Sequence, residues 1–101
     1  NGTYVKFSDG TMICHNRVAL TSVDMSNPWG ALFISAEFPI TFPATFLVKP
    51  AVSVNSENPD GHGALWMNSF TTVNSFTGRF LRGGPIVFDV TMAWMAMGRW
   101  K

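Results

Sequence analysis

Apolar and polar residues alternate with a period of two in one stretch after another, the pattern of half-buried β-strands. Residues 3–7 place Val5 and Phe7 on one face. Ser8-Asp9-Gly10 follows as a turn in which Gly10 can take positive φ. Thr11 to Leu20 then sets Met12, Cys14, Val18 and Leu20 against Ile13, His15 and Arg17, so the two runs predict a β-hairpin. "TSVDMSNPWG", Thr21 to Gly30, is polar, carries Asn27-Pro28 before Trp29, and reads as a long loop. Strict alternation returns from Ala31 to Ile40, with Leu32, Ile34, Ala36, Phe38 and Ile40 inward and Ser35 and Glu37 outward. Pro39 and Pro43 put the end of this strand at a sheet edge or a crossing.

"FPATFLVKP" reads as a connection into a short strand, Ala51 to Ser56, with Val52 and Val54 inward. "ENPDGHG", Glu57 to Gly63, is the strongest turn cluster in the chain. Ala64 to Phe70 and Thr72 to Leu81 read as two more strands, and Arg82-Gly83-Gly84-Pro85 breaks the pattern. The closing "VTMAWMAMGRWK" differs from the rest, because both of its faces are apolar. One carries Val90, Met92, Trp94, Ala96 and Gly98; the other carries Thr91, Ala93, Met95 and Met97 before Arg99. Most sheets in so small a domain face water on one side, so something must cover the second face. Six or seven short strands spaced by turns predict an all-β fold, a small antiparallel sandwich or barrel.

Composition sharpens that question. The 101 residues make one domain, with 47% hydrophobic and 13% charged residues, against about 25% charged in an average globular chain. Surface scaling allows a folded monomer roughly 5,700 Å² of exposed area, and these charges are too few to cover it. Either the domain is unusually well packed, or an oligomer interface hides the remainder; the oligomer is the expectation taken forward. The net charge is +1, with Lys and Arg scattered along the chain, which argues against nucleic acid and anionic membrane as partners. No apolar run approaches the length of a membrane span, and no targeting or lipidation motif is present. The chain opens without Met, almost directly into a strand, and reads as a C-terminal domain excised from a longer fibrous protein. Cys14 is alone, which excludes an internal disulfide and suits a small core hydrophobe.

Candidate chemistry is sparse. His15 and His62 lack any metal-ligand spacing, so a mixed site could form only by long-range folding or across subunits at a three-fold axis, and neither a metal nor another cofactor is expected. No nucleophile elbow occurs, and the six acids stand isolated, so no catalytic residue is assigned. Arg82 to Pro85 is a bend rather than an anion nest. The aromatic residues carry more. Trp29 adjoins Asn27, and Trp66 lies near Asp60, His62 and Asn68. A carbohydrate site combines a ring for the sugar's C–H face with short polar side chains for its hydroxyls. Either Trp could equally be a core anchor, and Trp29, in the polar segment, ranks above Trp66, which falls within an expected strand.

Three stretches together resemble a known family. "YVKFSDGTMIC", Tyr4 to Cys14, is similar to the "GxxxFxDGTxIxxG" hairpin that opens the C-terminal domains of many bacteriophage tail-fibre and receptor-binding proteins. "FPITFPATFLVKPAVSVNSE", Phe38 to Glu57, resembles their segment in which a strand meets a Phe-Pro kink and then a valine strand. "AWMAMGRWK", Ala93 to Lys101, resembles their closing "x-W-x-A-I-G-x-W". The sequence departs from the pattern at His15-Asn16, where Trp-Gly often follows the Cys position. The resemblance implies an H-type-lectin-like sandwich of about six strands at the tip of a trimeric fibre. Trp94, Met95 and Met97 would then meet neighbouring subunits around the three-fold axis. It also implies a non-enzymatic adhesin on a tail or head fibre of the virion, acting outside the cell. Such an adhesin would bind a bacterial surface glycan, lipopolysaccharide or wall polysaccharide, without nucleic acid or membrane insertion. The alternative is a structural trimerisation cap with no receptor contact, and a depolymerase tip ranks third.

Overall fold

The computed structural model describes residues 1–57 and 64–101. Nine strands run in chain order among the described residues: β1 (Thr3–Lys6), β2 (Thr11–Met25), β3 (Asn27–Trp29), β4 (Leu32–Ile34), β5 (Phe38–Thr41), β6 (Ala51–Glu57), β7 (Leu65–Thr71), β8 (Ser75–Arg82) and β9 (Ile86–Arg99). They form two antiparallel sheets packed as a sandwich, and no helix occurs among the described residues. The first sheet has the order β1-β2-β9-β6; in the second, β8 pairs β4 and β5 and also β7, while β3 extends β4.

Nine strands replace the expected six or seven, and two of them are not short. β2 has 15 residues and β9 has 14, and their ladder sets the 46 Å long axis of the domain. The alternation ending at Leu20 in the sequence does not end the strand. Leu20 pairs with Val90 but Val23 pairs with Phe88, so β2 gains one residue in a bulge. Ser22 takes φ of 51° there, and its N–H donates to Asp89 Oδ1 at 2.9 Å. The inserted residue shifts the phase, so Val23 and Met25 join Met12 and Cys14 inside. The expected loop from Thr21 to Gly30 is therefore strand on both sides of Ser26.

A second correction falls on residues 31–40, which form two strands rather than one. Ser35 is buried and Ala36 exposed, the reverse of strict alternation. Ser35 spans the break by donating its N–H to Phe80 O and accepting the Phe80 N–H on Oγ, both at 2.9 Å. The hairpin of β1 and β2 forms as expected, with Gly10 at φ 101° in its turn.

The core is aromatic. Phe76 and Phe80 of β8 are fully buried, and Trp94 of β9 packs 5.4 Å from Phe76 and 5.7 Å from Phe42. Phe42 and Phe46, from the Phe-Pro connection, meet edge to face at 5.2 Å. Cys14 is wholly buried, and desolvation pushes its thiol pKa up, as suits a small hydrophobe. The accessible surface of the single chain, 5640 Å², lies close to the scaling for a folded domain of this mass.

Candidate functional site

The strand ends fall into two groups. At one end lie the β1–β2 turn, the Phe42 to Pro50 connection and the β7–β8 turn. They are fastened to one another. Trp100 Nε1 donates to Phe7 O at 2.9 Å, Trp100 N to Gly10 O at 2.9 Å, and Arg99 Nη2 to Asp9 O at 2.8 Å. Leu47 N donates to Arg99 O, Phe42 N to Asn74 O and Phe46 N to Val73 O. Asp9 Oδ1 accepts the Thr11 N–H at 2.9 Å, and this bond, helped by the charge of Arg99, holds the carboxyl below its ordinary pKa of 3.8.

The other end carries the β3–β4 tip and the β8–β9 turn at Gly83 to Pro85. Glu57 and Leu65, which flank residues 58–63, pair with Thr91 and Leu81 toward this end. The tip is a two-residue turn between Trp29 and Leu32, with Gly30 at φ 62° in its first central position. Trp29 is 50% exposed there, and Asn27 is exposed on the same short strand. Below the tip, Met25 is fully buried and Ile34 nearly so, which ties the hairpin to the core. The signal for this hairpin was Gly30-Ala31 ahead of Leu32-Phe33-Ile34, hidden by the polar run before it.

Trp66 is placed differently. Its ring meets Phe80 at 5.0 Å and Phe76 at 5.9 Å, edge to face in both cases. It also covers Gly78, where a Cβ would stand 2.5 Å from the indole, so glycine is what lets the ring lie flat on β8. Trp66 is thus half-buried with its ring packed against the core, whereas Trp29 stands at an exposed tip. Asn68 Oδ1 accepts from Trp66 Nε1 at 3.4 Å. Trp29 and Trp66 lie on opposite sides of β8, so the structure does not bring them together. Asp60 and His62 lie outside the described residues.

The closing strand answers the question of its two faces. Val90, Met92, Trp94 and Ala96 point into the sandwich, and Met95 and Met97 are 43% and 47% exposed on the outside. Trp94, at 3% exposure, is a core residue and offers no ring to a neighbouring subunit; that correction leaves Met95 and Met97 as interface candidates. Cross-strand register sets Val5, Ile13, Met97 and Ala51 in one apolar row across the outer face, near the fastened end. Met95 stands in the next row between His15 and Ser53. Farther along, the Arg17–Glu57 ion pair bridges β9 and makes the face polar.

Five acids among the described residues serve the scaffold. Asp24 accepts from the Ser26 N–H at 3.0 Å, Glu37 from Arg79 at 2.7 Å, and Glu57 pairs with Arg17. Asp9 and Asp89 hold the turn and the bulge. Among the described residues no three His, Cys, Asp or Glu side chains gather as a metal site.

No family model and no curated protein matches the chain. Solved structures do share its fold. The C-terminal part of the P. aeruginosa R1 pyocin fibre superposes with a TM-score of 0.69 at 14% identity, covering 94% of this chain and 25% of that one. Discoidin II of Dictyostelium discoideum gives 0.65 at 20% identity, covering 94% and 40%. Tailspike gp61 of Pseudomonas phage phi297 gives 0.58 at 17% identity, covering 87% and 15%. The chain therefore spans well under half the length of these three neighbours. What they have in common with it is the antiparallel β-sandwich.

Proposed function

We propose that the domain is a non-enzymatic host-recognition module at the tip of a phage fibre, working as a homotrimer. On this reading it binds a bacterial surface glycan, lipopolysaccharide or wall polysaccharide, through the open end of the sandwich. The observation that carries the reading is Trp29, half exposed on a short hairpin anchored by buried Met25, with Asn27 beside it. A water-facing indole on a rigid support is a surface on which a sugar's C–H face stacks, and a neighbouring amide can fix a hydroxyl. Asp60 and His62 accompany it by sequence alone.

The sandwich common to pyocin fibres and a phage tailspike supports a place on a fibre of the virion, acting outside the cell. The row of Val5, Ile13, Met97 and Ala51 supports self-association, since a second copy would take this apolar surface out of water. Acids engaged in turns, a bulge and ion pairs support binding rather than hydrolysis.

The second reading, a trimerisation cap without a receptor, is favoured by the same apolar row taken alone. An array of bacterial surface glycans probed with the purified domain separates the two, because a cap retains none of them. Trp29→Ala is expected to abolish the array signal and weaken adsorption to host cells while the protein melts as wild type. A variant that binds as wild type would remove Trp29 from the site.

A further inference from the structure

Along the sequence the Lys and Arg residues are scattered, and that spacing argued against an anionic partner. The fold gathers four of them, Lys6, Lys49, Arg99 and Lys101, at the fastened end, and all four are exposed. The closing Arg99-Trp100-Lys101 segment joins the group. Trp100 Nε1 donates to Phe7 O, and Arg99 O accepts the Leu47 N–H at 2.7 Å, which sets the β1–β2 turn and residues 47–49 against it. The Lys6 and Lys101 ammonium groups stand 4.9 and 5.1 Å from the centre of the Trp100 ring. The remaining cations are engaged elsewhere. Arg17 and Arg79 pair with Glu57 and Glu37, and Arg82 lies over Phe88. Against the four stand one acidic side chain, Asp9, and, in the free domain, the α-carboxylate of Lys101, so positive charge is left over.

The same end exposes large apolar side chains. Phe7, Leu47 and Val48 are 46%, 61% and 56% exposed, and none of them joins the core cluster. Each apolar tip has a lysine at its shoulder, as Lys6-Phe7 and as Leu47-Val48-Lys49. Lysine stems lie along apolar surface while their ammonium groups stay in water. The apolar tips gain by leaving water, and the cations gain by meeting anions at its edge. A lipid leaflet with anionic headgroups supplies both within about 5–10 Å of depth. A protein partner fits less well, because protein interfaces are depleted of lysine and three of these four cations are lysines.

We infer that the fastened end is a second binding surface, which docks the domain on a lipid leaflet rich in anionic headgroups. Phe7, Leu47 and Val48 enter the boundary between headgroups and acyl chains, and Lys6, Lys49 and Lys101 meet the headgroup phosphates. The surface is independent of the Trp29 site, which stands at the opposite end of the sandwich.

The test is flotation of the purified domain with two kinds of vesicle, phosphatidylcholine alone and equal parts phosphatidylcholine and phosphatidylglycerol. We expect the wild type to float with the second kind only, and less so as salt rises, because salt screens exposed charges. Lys6→Gln, Lys49→Gln and Lys101→Gln combined should weaken binding roughly fivefold for each lysine removed. Leu47→Ser with Val48→Ser should weaken it roughly tenfold by removing the apolar tip. Both variants should melt nearly as wild type, since every changed side chain is exposed and outside the core. A wild type that floats with neither vesicle, or equally with both, overturns the lipid surface. So does a Leu47→Ser, Val48→Ser variant that floats as wild type, and the patch then pairs with anions alone. Should a variant fail to fold, the contrast between the vesicles and the salt dependence of the wild type decide. Trp29→Ala is expected to float as wild type, so a blank glycan array leaves this surface standing and failed flotation leaves the recognition reading standing.

Discussion

At one end of the sandwich, Arg99 and Trp100 spend their hydrogen bonds on the backbone of the Phe7 to Gly10 turn, and Phe42 and Phe46 are sunk in the core. At the other, Trp29 stands half exposed, Val87 and Leu65 are exposed, and no described residue comes within 4 Å of a Cβ placed at Gly83 or Gly84. The first end commits Arg99, Trp100, Phe42 and Phe46 to closing the fold, while Phe7, Leu47 and Val48 stay exposed there. The second end leaves side chains unengaged on a frame held rigid elsewhere, which is the arrangement loops need in order to recognise a ligand. The long β2–β9 ladder joins the two, so the fastened end can stabilise a surface that contributes little to stability itself.

Breaking the fastened end should have the largest effect. Phe42 touches Phe46, Phe76 and Trp94, so Phe42→Ala leaves a cavity among three rings. A loss of about 3–5 kcal/mol is expected in denaturant unfolding. Met97→Lys comes next, acting on assembly rather than on the fold. Met97 is exposed in the single chain, so its lysine can stay in water there but not in a closed interface. The wild type should sediment as a trimer and the variant as a folded monomer; a monomeric wild type removes the homotrimer from the proposed function.

Trp100→Phe sharpens the comparison by removing one indole bond to Phe7 O and keeping most of the ring. It should cost about 0.5–1.5 kcal/mol, a typical net hydrogen bond. The matching change at the open end, Trp29→Ala, should move stability by less than about 0.5 kcal/mol, as surface substitutions do.

The smallest effect is a pH dependence. The Thr11 N–H stabilises the Asp9 carboxylate, so its pKa is lower in the folded chain than in the unfolded one. The unfolded chain then binds the proton more readily, and stability from this group is present above 3.8 and lost as the pH falls toward the lower folded value. Asp9→Asn should flatten the acid limb of the melting-temperature profile slightly and leave the neutral value nearly unchanged.

Much of this was legible in the chain. Alternation gave the class of fold, the inward set Met12, Cys14, Val52 and Val54, and the two faces of β9. Ser8-Asp9-Gly10 gave the hairpin, because a turn's chemistry lies in the residues that make it. For the candidate site, the polar setting of Trp29 was readable.

Other features depend on partners far along the chain, and local pattern is silent about those. The bulge at Ser22 is pinned by Asp89, 67 residues away, and it shifts which side chains of β2 face inward. Ser35 is drawn inside by Phe80, 45 residues away, against the alternation around it. Trp66 packs against the core because Gly78 leaves room for it, and Trp94 lies within it because Phe42 and Phe76 surround it. Periodicity fixes the face of a residue on its own strand. What that face meets is set by register and by the packing of one sheet on the other, and those are decided when distant segments compete for the same hydrogen bonds and the same space.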